Sequence, residues 1–213
     1  MNAVRLRIVA YSDYVCPWCY IALHRVERLQ REYPVDVEWR PFELHPETPA
    51  TGARWLGRLG AERRVRAYTG NILTLADESD IPMAMPEMIA NSHKALEAGE
   101  FAKEHGGFEA LHAALFRAYF ADARDIGDVD VICDVARACG VQDQHLREAL
   151  TEERYAARVD QSTAEAHAAE IFSAPTFVFS GGFRLTGAQD YAVFENVTRR
   201  LLDRIASGVI VVD

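Results

Sequence analysis

Cys16 and Cys19 stand two residues apart in the run Tyr14-Val15-Cys16-Pro17-Trp18-Cys19-Tyr20. Two thiols at this spacing, placed after a strand and on the first turn of a helix, can close a local disulfide and open it again. They exchange with other disulfides through a mixed-disulfide intermediate. Unpaired amide hydrogens and the positive end of the helix dipole favour a thiolate at Cys16, which makes it the exposed attacker. Cys19, one turn deeper on the apolar stripe, is then the resolving thiol. Pro17 suits the first helical position, where its missing N–H has no partner to lose. A zinc half-site would need two further ligands, and the sequence offers no second C-x-x-C and no suitably spaced His pair. The remaining reading, two packed structural cysteines, does not account for a strand before the pair and a helix after it.

The elements around the pair follow from periodicity. Residues 4–11 alternate and are rich in Val, Leu and Ile, a buried strand that Ser12 and Asp13 end. Ala22, Leu23, Val26 and Leu29 recur at helical spacing until Pro34 closes the helix, and Val35 to Leu44 reads as a second strand, parallel to the first. Helices are predicted near 53–68, 86–104, 107–121, 128–139 and 143–170, punctuated by Gly106-Gly107, Gly127 and Gly140. Thr176-Phe177-Val178-Phe179, a turn at Ser180-Gly181-Gly182, and Phe183 to Thr186 form a hairpin. A closing helix after Asp190 buries Tyr191, Phe194, Val197, Leu201 and Ile205. The order is β-α-β, a helical insertion, then β-β-α: an α/β fold with residues 1–46 and 171–213 as one domain and 47–170 as the all-α insertion.

The 213 residues carry a net charge of −9 and are 49% hydrophobic, the composition of an ordinary globular chain. That charge excludes a general nucleic-acid binder, which needs clustered Lys and Arg against phosphates. No window approaches the roughly 18 apolar residues of a membrane span. The N-terminus runs straight into the cysteine motif without the pattern of a secretory signal, and four cysteines are too few for a disulfide scaffold. A cytoplasmic location is expected.

With Cys16-Pro17-Trp18-Cys19 and Ala174-Pro175-Thr176-Phe177 both present, the sequence resembles the DsbA family of the thioredoxin fold, in its FrnE-like branch. Softer matches are Pro41-Phe42-Glu43-Leu44, Asn91-Ser92-His93 and Leu115 to Phe120. The resemblance covers essentially the whole chain. It implies a four-stranded mixed sheet, helices lying over its active-site end, and Pro175 in the cis form facing the two sulfurs. It also implies that the backbone at Ala174, with Pro175 and Thr176 beside it, holds an extended substrate. The implied activity is thiol–disulfide exchange with protein or peptide partners, with no bound cofactor and glutathione as the candidate redox co-substrate. Partners in nucleic acid or membrane are not expected, and the oligomeric state is left open.

Two positions depart from that family. Many relatives have a buried carboxylate six residues before the first cysteine, where this chain has Ala10, so a proton acceptor for Cys19 has to come from elsewhere. Asp13 is the nearest acidic candidate and Glu43 a second, with a turn or helix-cap role as the alternative for Asp13. Trp18 stands where strongly oxidising members have histidine, and without that positive charge the expected potential lies between thioredoxin and DsbA, at about −150 to −250 mV. Two other functions share the fold. One is a glutathione-dependent kappa-class transferase or 2-hydroxychromene-2-carboxylate isomerase, relatives that typically have serine where Cys16 stands. The other is a redox-sensing or chaperone-like binding protein.

Other chemistry-bearing residues are weaker. Cys133 and Cys139, six apart on one predicted helix, are about 9 Å apart by rise and cannot bridge there; they read as buried free cysteines. Met83, Met85 and Met88 make either an adaptable apolar lip or ordinary packing. Glu109 and His112 form a single Glu-x-x-His, and a di-metal bundle needs two.

Overall fold

The computed structural model describes residues 5–55, 60 and 62–209. Strand β1 (Leu6–Ser12) is the centre of a mixed sheet ordered β2-β1-β5-β6. β2 (Val35–Pro41) runs parallel to it, with Leu6 opposite Val35 and Ser12 opposite Pro41. β5 (Thr176–Phe179) and β6 (Arg184–Thr186) form the antiparallel hairpin on the other side. The period-2 alternation of β1 sorts its side chains. Leu6, Ile8 and Ala10 enter the main core with their cross-strand neighbours Phe179 and Phe177. Val9 and Tyr11 face a second, smaller cluster with Phe42, Ala166 and Ile171. Each large side chain so buried contributes roughly 1.5–3 kcal/mol.

Helix α1 (Pro17–Glu32) begins where the sequence places it, with Cys16 as N-cap and Pro17 on its first turn. Its stripe of Cys19, Ala22, Leu23, Val26 and Leu29 is buried, and it ends when the Tyr33 amide returns to the Leu29 carbonyl at 2.8 Å, just before Pro34. The second strand stops at Pro41 rather than Leu44. The Phe42 amide still bonds the Ser12 carbonyl at 3.0 Å, but the Leu44 amide is taken by the Asp13 side chain.

Between β2 and β5 three helix boundaries differ from those read in the sequence. Ala53–Arg54 is a two-residue strand, β3, paired with β4 (Met88–Ile89), and the helix that follows, α2, runs Glu62–Asp77. Gly52, at φ +76°, lets the chain approach the Ile89 carbonyl, and the Trp55 indole donates to the Pro86 carbonyl at 2.9 Å. Tertiary pairing thus overrides helical periodicity there, although residues 56–59 and 61 of the expected 53–68 helix lie outside the described residues, as do strand residue 4 and residues 1–3 and 210–213 of the expected terminal segments. Helix α3 (His93–His105) starts seven residues later than position 86, because Met88 and Ile89 pair as strand and the Asn91 side chain accepts from the His93 amide at 3.0 Å. The long 143–170 helix is two, α6 (Asp143–Thr151) and α7 (Ala156–Ala168). Glu153 takes a left-handed φ of 54° between them, and the Tyr155 amide points at the buried carboxylate of Glu97. Helices α4 (Phe108–Phe120) and α5 (Val129–Ala138) match expectation within a residue at each end, and α8 (Tyr191–Ala206) closes the chain with Phe194 and Leu201 buried.

Candidate active site

The loop from β1 to α1 brings the two cysteines to the end of the central strand. The Cys16 amide bonds the Asp13 carbonyl at 3.1 Å, and the Cys19 amide bonds the Cys16 carbonyl at 3.0 Å, which winds both residues into the first turn. Both thiols are free. Across from them, the loop ahead of β5 carries Ala174 and Pro175, joined by a cis peptide bond. Cys16 Sγ donates to the Ala174 carbonyl at 3.4 Å, across 158 residues of chain. Thr176, the first residue of β5, pairs with Tyr11 and donates its hydroxyl to the Ser173 carbonyl at 2.7 Å, and the Pro175 carbonyl accepts from Gly187 at 2.8 Å. The fold therefore brings Cys16, Cys19, Ala174, Pro175 and Thr176 to one end of the sheet.

The chain that carries this dithiol beside a cis proline matches the model of the DSBA-like thioredoxin domain over residues 7–198. The chain belongs to that family. In Bacillus subtilis (strain 168), the uncharacterized protein YwbO is 28% identical over 193 residues, which cover 89% of this chain and 94% of that one. Among solved structures, the Streptomyces coelicolor protein described as "probable DsbA oxidoreductase SCO1869" superposes with a TM-score of 0.84 at 26% identity, covering 92% of this chain and 89% of its own. A 2-hydroxychromene-2-carboxylate isomerase superposes with a TM-score of 0.78 at 18% identity, over 95% of this chain and 98% of that one. The cytosolic disulfide reductase DsbM from Pseudomonas aeruginosa, solved with GSH, gives a TM-score of 0.66 at 16% identity over 95% and 98% of the two chains.

Within this DSBA-like domain the environments of the two sulfurs differ. Cys19 is fully buried, and burial first, then its neighbour Cys16, push its thiol well above the ordinary range; the Asp13 backbone amide and the Ser12 hydroxyl act in the opposite direction. Cys16 is not the exposed thiol that its place at a helix start suggests, being only 4% accessible. The proline loop covers it on one side. On another lies Tyr68 from α2, whose hydroxyl is pushed up to about 12 by burial and by the Cys16 thiol, against a hydrogen bond with Trp18. Trp55 packs on Tyr68 with ring centroids 5.7 Å apart. Nothing in the sequence around Tyr68 distinguishes it from any other helical aromatic, since its role comes from where α2 is laid down.

Asp13 is buried and holds the loop together: Oδ1 accepts from the Val15 amide at 3.3 Å and Oδ2 from the Leu44 amide at 2.7 Å. This is the turn role. Glu43 points elsewhere, its carboxylate 3.0 Å from His93 Nδ1. Despite its hydrogen bonds, burial pushes the Asp13 carboxyl up to about 6. The folded state then holds the proton more tightly than the unfolded chain, so this contribution is fully present below about pH 4 and is lost as pH rises through about 6, by about 3 kcal/mol. Asp13→Asn should flatten that segment of the stability curve in urea titrations between pH 4 and 7. A wild-type-minus-variant difference that stays constant across the window contradicts this.

The remaining candidates are resolved by packing. Cys133 is buried in α5 and Cys139 caps that helix, partly exposed, its thiol 3.5 Å from the Ala110 carbonyl; burial raises both thiols. Met83 and Met85 pack against the main core, while Met88 is exposed. His112 is buried among Tyr14, Trp39, Phe108 and Phe116, and its partner Glu109 in the Glu-x-x-His is exposed. Among the described residues, Glu43, His93 and Asp160 bring ligand atoms within 4.8 Å of one another. Glu43 and His93 already hydrogen-bond each other, joining the segment after β2 to α3, and Asp160 is exposed. No helix among the described residues is long and apolar enough to cross a membrane.

Proposed function

We propose that the protein is a thiol–disulfide oxidoreductase acting on protein and peptide thiols and disulfides, of the FrnE-like branch and in the cytoplasm. Cys16 attacks a substrate disulfide, forming a mixed disulfide and expelling one substrate thiolate. Cys19 then attacks the Cys16 sulfur, releasing the second substrate thiol and leaving a Cys16–Cys19 disulfide. Pro17 starts the helix, Trp18 and Asp13 support the loop, and Ala174, Pro175 and Thr176 form the edge along which an extended substrate lies. Glutathione serves as redox co-substrate, with no bound cofactor. The observation that carries this reading is the Cys16 thiol on the N-cap of α1, bonded to the Ala174 carbonyl beside Pro175, with a second free thiol one turn below. A disulfide reductase of the same fold solved with GSH supports glutathione as the co-substrate, and its description as cytosolic supports the compartment. An isomerase reading has support in fold, but it leaves Cys19 without a task.

The test is alkylation followed by mass measurement after equilibration across a series of glutathione redox buffers. One transition is expected, converting Cys16 and Cys19 together to a disulfide with a midpoint at about −150 to −250 mV, while Cys133 and Cys139 remain alkylatable. A protein whose Cys16 and Cys19 never pair across the series is not this enzyme.

A further inference from the structure

Ala10 is wholly buried in the main core, opposite Phe177 and Trp39, so no carboxylate approaches Cys19 from that side. Ser12 does approach it. Its hydroxyl is near enough to the Cys19 sulfur to favour the ionised form, yet Ser12 Oγ is buried and has no hydrogen-bond partner of normal geometry among the described residues. A second buried atom, His112 Nε2, is likewise without a partner. Both residues line the same small cavity of about 20 Å³, which opens outward between Arg40, Glu100 and Lys103. A polar cavity needs about 10–15 Å³ to hold a water molecule, and the water needs two to four partners.

The other ring nitrogen fixes what His112 offers. Tyr14 Oη lies 2.9 Å from His112 Nδ1, and burial holds the Tyr14 phenol protonated well above its ordinary range. That bond occupies Nδ1 and leaves Nε2 as the ring nitrogen without a partner among the described residues. Lys103 adds to burial in keeping the ring neutral.

We infer that the cavity holds one water, bound by Ser12 Oγ and His112 Nε2, and that Ser12 and this water carry the proton of Cys19 to and from solvent. The inference rests on the dithiol reading above. In the resolving step the Cys19 S–H bond breaks and its proton passes to Ser12 Oγ as the serine's own proton passes to the water and out past Glu100 and Lys103. The sulfur's electron pair forms the bond to Cys16, the Cys16–substrate bond breaks, and the departing thiolate takes a proton from solvent. The dithiol is oxidised by two electrons and the substrate disulfide reduced by two. Ser12 then points its new hydrogen at the space the thiolate occupied. His112 and Tyr14 are positioning residues that hold the water. The titratable and charged groups facing this route are Cys16, Tyr14 and His112 within, and Arg40, Glu100 and Lys103 at its mouth; the Asp13 carboxylate is held by the Val15 and Leu44 amides.

The test separates the two chemical steps by rapid quench and mass measurement, using oxidised glutathione as substrate. Ser12→Ala should slow resolution of the Cys16–glutathione mixed disulfide by roughly 10²-fold near neutral pH, the lower end of what positioned proton transfer supplies. The deficit should shrink as pH rises and hydroxide takes the proton directly, and Ser12→Thr, which keeps the hydroxyl, should restore the rate. His112→Phe should slow the same step with the same pH trend. Resolution in folded Ser12→Ala at the wild-type rate, or a deficit independent of pH, overturns the proton route. Failure of the wild type to form any mixed disulfide at Cys16 defeats the dithiol reading instead.

Discussion

On the proposed mechanism, Cys16→Ser should lower turnover of a peptide disulfide by on the order of 10³-fold or more, and Cys19→Ser should leave the first exchange intact while blocking the second. The asymmetry follows from geometry. A hydroxyl is a far weaker nucleophile than a thiol at neutral pH, and the Ala174 carbonyl that accepts from position 16 has no proton-transfer role with which to activate it. Loss of a nucleophile that acts as one unit with its surroundings removes most of the catalysis at once. Cys19 lies fully buried under Cys16, where no substrate reaches it, so its only reachable electrophile is the Cys16 sulfur after substrate has bound. Its replacement therefore accumulates a Cys16-linked mixed disulfide, visible as a stable adduct by mass spectrometry. Equal losses in the two variants with no adduct in Cys19→Ser would show that the two sulfurs do not divide attack and resolution.

What the chain's sequence made legible is what local pattern controls. Alternation in β1, the proline at the start of α1 and the hairpin glycines each specify a structure within a few residues of themselves, and all three are found in the fold. The Cys16 to Cys19 spacing fixes the relation of two thiols on one helical turn, so that half of the candidate site was visible too. The coverings of the site depend on long-range packing and were not. Tyr68 reaches the dithiol because α2 begins at Glu62 after a two-residue strand pairs with Met88–Ile89, a pairing across more than thirty residues that periodicity had assigned to helix. For the same reason Cys16 reads as exposed in the sequence and is buried in the fold. The lone Glu-x-x-His left His112 on a packed or exposed helix, and it is packed; that its ring meets Tyr14 and shares a cavity with Ser12 depends on a contact between residues 98 apart. Asp13 was legible as acidic and near the motif, whereas its part in the turn depends on where the Val15 and Leu44 amides lie.

Two buried groups, His112 and Asp13, contribute to acid sensitivity with opposite sign, and His112→Phe should remove the destabilising contribution. Burial, with Lys103 second, brings His112 down to about 3. The unfolded chain then takes up the proton near pH 6.5 while the folded one refuses it, so the stability present above pH 6.5 falls as pH drops, by about 2 kcal/mol at pH 5 and approaching about 5 kcal/mol below pH 3. Asp13 works the other way, because its protonation between pH 7 and 4 recovers about 2 kcal/mol. From pH 7 to 4 the histidine loses about 3 kcal/mol, so the pair nets about 1 kcal/mol of destabilisation in the wild type. Phenylalanine keeps the stack on Phe108 and the edge contacts with Tyr14 and Phe116, but leaves the buried Tyr14 hydroxyl unpaired, at about 1–3 kcal/mol at pH 7. With the histidine gone its acid-side loss disappears, so relative to the wild type the variant gains about 3 kcal/mol from pH 7 to 4. Other groups titrating in this range, such as His93 paired with Glu43, are common to both proteins and cancel in the difference. Urea unfolding at half-unit steps from pH 4 to 7 reads the effect directly: the two curves approach and cross on the acid side, and parallel curves would show that His112 is protonated in the folded protein as readily as in the unfolded chain.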